Sequence, residues 1–310
     1  MILTVTLTPS IDKLYMLDGL EPYSVMRVKE VRNTAGGKGL NVSRVAALLG
    51  EKVTAMGFVG GFVGQYFESL ITEADICKAF TRVASETRSC VNGWDMARNA
   101  STEYLEPGAP VTEAEVDRFY ADFIRALPTA DVVTISGSVP KGAPADCYAR
   151  LIAQCRDADK PVLLDTSGEA LLAALKAKPT FVKLNTDEVA QLLGHEVNGF
   201  EECAAAAKRL HGEGISHVVI SLGAEGALMV CGEGVWAGEP PRIRPRNTVG
   251  CGDSMVAGFA VSIVRKLLPE EGMRLSVAVS AANALSIGTG SFDPCDLEDL
   301  LPKIKIQRMP

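Results

Sequence analysis

The sequence predicts a doubly wound α/β fold, with helices on both faces of a mainly parallel sheet, and two excursions that read either as a small second sheet outside it or as long surface loops. Three observations lead there. Short apolar runs rich in β-branched residues recur along the chain, as parallel strands buried on both faces require. Stretches of helical periodicity separate them. Two polar excursions, at 10–34 and 85–106, interrupt this rhythm and hold strand-like pieces such as MRVKEVRN and SCVNGWDM.

In chain order, ILTVTLT (2–8) reads as the first strand, and the periodic stretch after the glycines of AGGKG gives a helix at 39–49. VTAMGFV (53–59) is the next strand, followed by a helix at 64–74 and, beyond the second excursion, another at 112–127. DVVTIS (131–136), PVLLD (161–165) and TFVKL (180–184) are strands, with helices at 144–158 and 168–176 between them. A helix at 199–213 leads to strands HVVISL (217–222) and ALMVC (227–231), and a long helix is expected at 253–268. With 310 residues and a hydrophobic fraction of 47%, the chain can build a large core, as one α/β domain or as two smaller ones, between which length does not choose.

Composition excludes several classes. The net charge is −7 and no Lys/Arg cluster stands out, so nucleic acid is not an expected partner. No apolar run is long enough to cross a bilayer, so no membrane is expected either. The N-terminus reads as a strand rather than a signal peptide, which points to the cytoplasm. The eight cysteines are scattered without a C-x-x-C, and the three histidines lie near no cysteine pair, so no zinc site is expected. Most of the cysteines read as small core residues in a reducing compartment.

Two glycine turns carry the chemistry. AGGKGLNV (35–42) suits an anion, yet its spacing matches neither the Walker loop nor the dinucleotide fingerprint that a Rossmann dehydrogenase would carry after its first strand. NTVGCGDSMVAGF (247–259) places Gly250, Cys251 and Gly252 immediately before Asp253 and a helical run. Such a turn aims backbone amides and the positive end of a helix at an anion, and that field should keep Asp253 ionised near neutral pH. An aspartate at this place commonly caps its helix. Glycine amides, a helix dipole and a carboxylate together are also what phosphoryl transfer to a hydroxyl requires.

Read together, AGGKGLNVSRVAALLG and NTVGCGDSMVAGF resemble the paired signatures of the ribokinase-like sugar kinases, the PfkB family. SGSVPKG, LDTSGEAL, KLNTDE and SLGAEGAL follow in matching order, so the resemblance covers nearly the whole chain. TVTLTPSID, GFVGGFVGQY, ETRSC and LLPKIKIQR resemble the ketose-phosphate branch, which phosphorylates fructose 1-phosphate or tagatose 6-phosphate with ATP and Mg²⁺.

The resemblance implies roles residue by residue. Gly36, Gly37, Lys38 and Asn41 would line the acceptor pocket, with Asp12 hydrogen-bonding sugar hydroxyls. Arg88, with Lys38 and Arg27, would hold the phosphate the sugar already carries, chemistry that suits Arg and Lys. Gly250, Cys251 and Gly252 would form an anion hole and Asp253 would be the catalytic base. Asn185 and Glu188 would order Mg²⁺ through water, although they could equally start the helix at 186–193. Ser221, Gly223 and Gly226 would lie along the ATP phosphates or ribose, and Asn283 at the adenine end. Ser136 and Ser138 read as turn residues near the cleft. The chain would be a single ribokinase-like kinase domain over 1–310, and its excursions at 10–34 and 85–106 would form a small β-sheet lid that closes over the sugar and pairs with a second lid in a homodimer.

Three positions depart from the family pattern. Thr8 stands where asparagine is usual, Leu184 where proline is usual, and Cys251 where a small residue such as alanine sits between the glycines. Cys251 adds the expectation of an oxidation-sensitive thiol of lowered pKa at a helix N-terminus. A non-catalytic sugar-phosphate-binding protein on the same fold would be expected to have lost Asp253 or its glycines, and neither is lost.

Overall fold

The computed structural model describes residues 1–108, 110–197 and 199–309. The chain opens with β1 (Ile2–Thr6), β2 (Ser10–Leu17), β3 (Glu30–Gly36), α1 (Lys38–Leu48), β4 (Val53–Gly60) and α2 (Gly61–Ser69). β5 (Ile76–Lys78), β6 (Thr81–Val83), β7 (Arg88–Asp95), β8 (Ala100–Leu105), α3 (Glu113–Ala126), β9 (Val132–Ser136) and α4 (Cys147–Asp157) follow. Next come β10 (Val162–Asp165), α5 (Gly168–Lys176), β11 (Phe181–Asn185), α6 (Thr186–Leu193), α7 (Gly199–Gly212), β12 (His217–Ser221) and β13 (Ala227–Cys231). The chain ends with β14 (Gly234–Glu239), α8 (Cys251–Val264), α9 (Pro269–Leu285), α10 (Pro294–Leu300) and β15 (Lys305–Met309).

The main sheet runs β15-β14-β13-β12-β11-β10-β9-β1-β4-β5, with β6 also paired to β4. From β12 to β4 every neighbouring pair is parallel. Alternate residues of each strand then face opposite layers. Ile2, Val132, Leu163 and Phe181 pack with α1, α8 and α9, whereas Leu3, Val133, Leu164 and Val182 pack with α3, α4 and α7. A sheet covered in this way is the doubly wound architecture expected.

The strands from 10–36 and 88–105 leave this sheet and form a second one, in the order β3-β2-β7-β8. β2 is antiparallel to β3 and parallel to β7, with Ser10 opposite both Gly36 and Arg88. Both excursions therefore meet beside the glycine turn that starts α1.

Several elements were not anticipated. β13, β14 and β15 add an antiparallel edge to the parallel sheet. β14 and β15 were missed because they are short and mix polar with apolar residues, as edge strands do. β5 and β6 span three residues each, too few for periodicity to register. α9 has small and apolar residues on every side and is buried on most of them, so it lacks the stripe that marks an amphipathic helix.

Candidate active site

The first glycine turn joins β3 to α1. Gly36 passes so close to Asp12 on neighbouring β2 that a Cβ there would lie 2.1 Å from the Asp12 carboxyl carbon. Glycine here leaves the space that the Asp12 carboxylate occupies. Gly37 is the helix N-cap, Lys38 the first helical residue, and Asn41 lies one turn on, buried and facing the cleft.

The second turn starts α8. Gly250 takes φ +83°, the left-handed region, and a Cβ there would sit 2.9 Å from the Gly290 amide nitrogen. Gly250 is the N-cap, so Asp253 falls inside the first helical turn and does not cap it. Its carboxylate is buried, and Asn41 Nδ2 donates to Asp253 Oδ2 at 2.7 Å. Arg44 Nη1 donates to Asn41 Oδ1 at 3.3 Å and to the Thr289 carbonyl at 2.9 Å, which fixes the amide with its NH₂ toward Asp253. Burial, and next the neighbouring Asp165 charge, push the Asp253 pKa up to about 6, while Lys38, Asn41 and Lys183 pull it back. Burial thus dominates where the helix field was expected to, and Asp253 still ionises at neutral pH with useful basicity.

Two side chains that sequence reasoning did not single out stand beside it. Asp165, at the C-terminal end of β10, has no exposed side-chain surface, and its Oδ1 takes Lys38 Nζ at 3.0 Å and Lys183 Nζ at 3.7 Å. Burial works against the Asp165 charge, yet Lys183 and Lys38 hold its pKa below the usual value. Burial likewise opposes the Lys38 charge, and Asp165 and Asp253 outweigh it, so the ammonium is held protonated. Signals for both residues existed. Lys183 is a charge inside the apolar strand FVKLN, and Asp165 ends the apolar run VLLD where open α/β sheets bind ligands.

At the lid end, Ser10 Oγ donates to Asp12 Oδ1 at 2.6 Å. Burial raises the Asp12 pKa, opposed by Ser10, Arg44 and Arg88. Arg88 donates through Nη1 to the Glu106 carbonyl at 3.0 Å and through Nη2 to the Thr8 carbonyl at 3.1 Å, and its buried Nε has no partner. Thr8 has a task of its own: its hydroxyl meets Ser138 Oγ at 2.8 Å and so ties the end of β1 to the turn after β9. Arg27 does not join this group. It lies on the exposed stretch between β2 and β3 and does not line the cleft, whereas Arg32, Arg244 and Arg246, unremarked in the sequence, do.

These groups share one cleft of about 1040 Å³, lined by Asp12, Lys38, Asn41, Arg88, Lys183 and Asp253 and roofed by Leu14, Asn92 and Trp94 of the lid sheet. That is at the upper end for a single small-molecule site, room for two ligands side by side. Gly37, Gly250 and Gly252 border it, with Gly36 and Cys251 immediately behind. Asn185, Glu188, Ser221, Gly223, Gly226 and Asn283 are not among the lining residues. Asn185 and Glu188 do start α6, as a reciprocal capping box with bonds of 2.7 and 2.9 Å. Burial raises the Glu188 pKa, first opposed by Lys183. Ser221 Oγ donates to the Leu184 carbonyl at 3.2 Å.

Two expectations need correction. Asn283 is fully buried; its Nδ2 donates to the Val249 carbonyl at 3.0 Å and its Oδ1 accepts from the Ser291 amide at 3.2 Å. It braces the glycine turn from behind, leaving no surface for an adenine. Cys251 does not have a lowered pKa: burial pushes its thiol up, and the Asn283 amide only partly offsets this.

Known proteins resemble the whole chain. The model of the pfkB family carbohydrate kinases matches residues 5–295. The tagatose-6-phosphate kinase of Staphylococcus epidermidis is 36% identical over 309 residues, 99% of each chain. Phosphofructokinase-2 from Escherichia coli, solved with substrates and products, superposes with a TM-score of 0.92 at 30% identity, over 97% of this chain and 98% of that one. A ribokinase from Thermotoga maritima shares the fold, with a TM-score of 0.76 at 20% identity over 97% of this chain and 99% of that one. The cleft is that of a carbohydrate kinase, a phosphotransferase with a hydroxyl acceptor. The chain belongs to the pfkB family.

The thiols give a direct check on the second turn. Iodoacetamide at pH 7.5 is expected to modify exposed Cys77 and Cys295 well before Cys251, as read by mass spectrometry of the native protein. Labelling of Cys251 first would mean that the turn is more open than described.

Proposed function

We propose that the protein transfers the γ-phosphoryl group of ATP to a free hydroxyl of a ketohexose monophosphate, giving a bisphosphate. The observation that carries this reading is Asp253: a buried carboxylate in the first turn of α8, oriented by Asn41, in one cleft with Asp12 and Arg88. Asp253 takes the proton of the acceptor hydroxyl as its oxygen attacks phosphorus. The amides of Gly250, Cys251 and Gly252 donate to the charge that develops on the phosphoryl oxygens. A base with a pKa of about 6 is mostly ionised at pH 7 and accepts a proton readily there.

Asp12 orients the sugar hydroxyls, and Gly36, Gly37, Lys38 and Asn41 shape the acceptor pocket. Arg88, fixed by two carbonyls where it lines the cleft, holds the phosphate the sugar carries, with Lys38 as the second cation. ATP runs from the second glycine turn toward Ser221, Gly223 and Gly226. Glu188, whose second carboxylate oxygen lies outside the capping box, fits Mg²⁺ as a hard donor through water, with Asn185 beside it. The metal, when bound, neutralises phosphate charge.

Fructose 1-phosphate, attacked at its C6 hydroxyl, is the first acceptor proposed. Tagatose 6-phosphate, attacked at C1, is the second reading, favoured by the Staphylococcus epidermidis relative. The enzyme is cytoplasmic and works as one kinase domain over 1–310. Its lid closes over the sugar and excludes water, which suppresses hydrolysis of ATP. Tyr23, Val25, Val31, Tyr104 and Leu105 leave apolar surface exposed on and around that sheet, and two copies pairing through it would bury this surface in a homodimer. A monomer in sedimentation at micromolar concentration with full activity would rule the pairing out.

ADP release with MgATP, compared by kcat/KM across fructose 1-phosphate, tagatose 6-phosphate and fructose 6-phosphate, tests the acceptor. A preference for fructose 1-phosphate is expected, and silence on all three sinks the reading. Asp253→Asn should cut kcat by about 10²–10⁴-fold while leaving sugar-phosphate binding nearly intact. In the wild type, kcat/KM should fall as pH drops below about 6, because the base must be deprotonated and burial has raised its pKa. An acid limb near pH 4 would mean that Asp253 is not the group titrating.

A further inference from the structure

The cations of the cleft fall into two groups. The Asp12 carboxylate feels Arg44 and Arg88. The Lys38 ammonium is instead bonded to Asp165 and feels Asp253 and Glu188 as well. Lys183 faces Asp165 too, and its Nζ is so near the second turn that a Cβ on Gly252 would stand 2.9 Å away. Lys38 and Lys183 thus both stand against Asp165, with Lys183 beside the second turn, while Arg88 stands by Asp12.

Asp165 accounts for this placement. On β9 and β10 it pairs in register with Ser136, and continuing the β10–β11 register from Leu164↔Val182 sets it beside Lys183. A buried carboxylate is costly unless paired, and Asp165 has two ammonium groups sharing one oxygen, while Oδ2 has no hydrogen-bond partner. Each lysine gives at most one N–H to that oxygen and keeps others for the cleft. A lysine side chain is otherwise floppy, and tethering it to a rigid strand removes the reorganisation that would cost rate.

We propose that Asp165 is a positioning residue that holds Lys38, alongside Lys183, against the transferring phosphoryl group, so that Lys38 serves the γ-phosphate and not the phosphate the sugar already carries. The inference rests on the kinase reading and refines one assignment within it. Arg88 then holds the sugar's phosphate without Lys38, and Asp165 acts only through the lysines.

Binding of nucleotide tests this without knowledge of the acceptor. Calorimetry would compare MgADP with the Mg²⁺ complex of adenylyl imidodiphosphate, which adds only a γ-phosphate, for wild type, Lys38→Ala, Asp165→Asn and the double variant. Loss of a charge-assisted hydrogen bond predicts about a 10- to 100-fold weaker affinity for the triphosphate analogue in each single variant. Affinity for MgADP should stay within about threefold, and the double variant should be little worse than either single one, since one contact is lost throughout. Fructose 1-phosphate and tagatose 6-phosphate, titrated alone, should bind as to wild type.

Equal weakening of both nucleotides, losses that add, or a loss confined to the sugar phosphate would each overturn the inference. Lys38 is two-fifths exposed, so Lys38→Ala decides between the two phosphates even if Asp165→Asn fails to fold. A wild type that binds neither nucleotide would instead remove the kinase reading and this inference with it.

Discussion

The hydrogen bond from Asn41 to Asp253 joins residues 212 positions apart, each in the opening turns of a helix that follows a glycine turn. Much of the site depends on that junction. α1 and α8 lie on the same face of the sheet, and their packing brings both glycine turns to one cleft. The bond has a direction as well as a distance. Arg44 takes the amide oxygen, so the NH₂ must face the carboxylate and support its charged form. Without it, burial and the nearby Asp165 would drive Asp253 further toward the neutral acid, and a neutral acid accepts no proton.

Much of the fold was legible because its physics is local. Strands such as Val132–Ser136 and Val162–Asp165 are apolar throughout, since both faces of the sheet are covered, and that pattern survives in the one-dimensional sequence. α9 was not legible because burial on nearly all sides erases periodicity, and β14 and β15 were not because an edge strand needs few apolar residues. The lid excursions were visible as interruptions. Their pairing, β2 parallel to β7, joins segments nearly 80 residues apart, and no local pattern encodes that.

The site divides in the same way. Glycines, Asp253 and Asn41 could be read because they form contiguous motifs with a chemical purpose. Asp165 and Lys183 left only the signal of a charge in an apolar strand, because the Lys38 partner that gives Asp165 its place is distant in sequence, and nothing local told Arg44 from a surface arginine of α1. Asn283 and Cys251 show the reverse error. A motif position suggested ligand contact or thiol reactivity, but Asn283 is buried bracing the turn and the Cys251 thiol pKa is raised rather than lowered. Asn185 and Glu188 satisfy the capping rule that the sequence also offered, with the Asn185 amide oxygen and one Glu188 oxygen taken up in the box.

The chain has two tryptophans, and the fold separates their surroundings completely. Trp94 sits on β7 and forms part of the roof of the cleft, while Trp236 lies on β14 at the sheet's antiparallel edge, with the Arg308 guanidinium 5.7 Å from its ring centre. The lid closure proposed above would change the solvent around the first indole and leave the second as it was. The molecule would then carry its own optical gauge, with one emitter on the small sheet and one on the main sheet, and replacing Trp236 by phenylalanine would leave a readout of the roof alone.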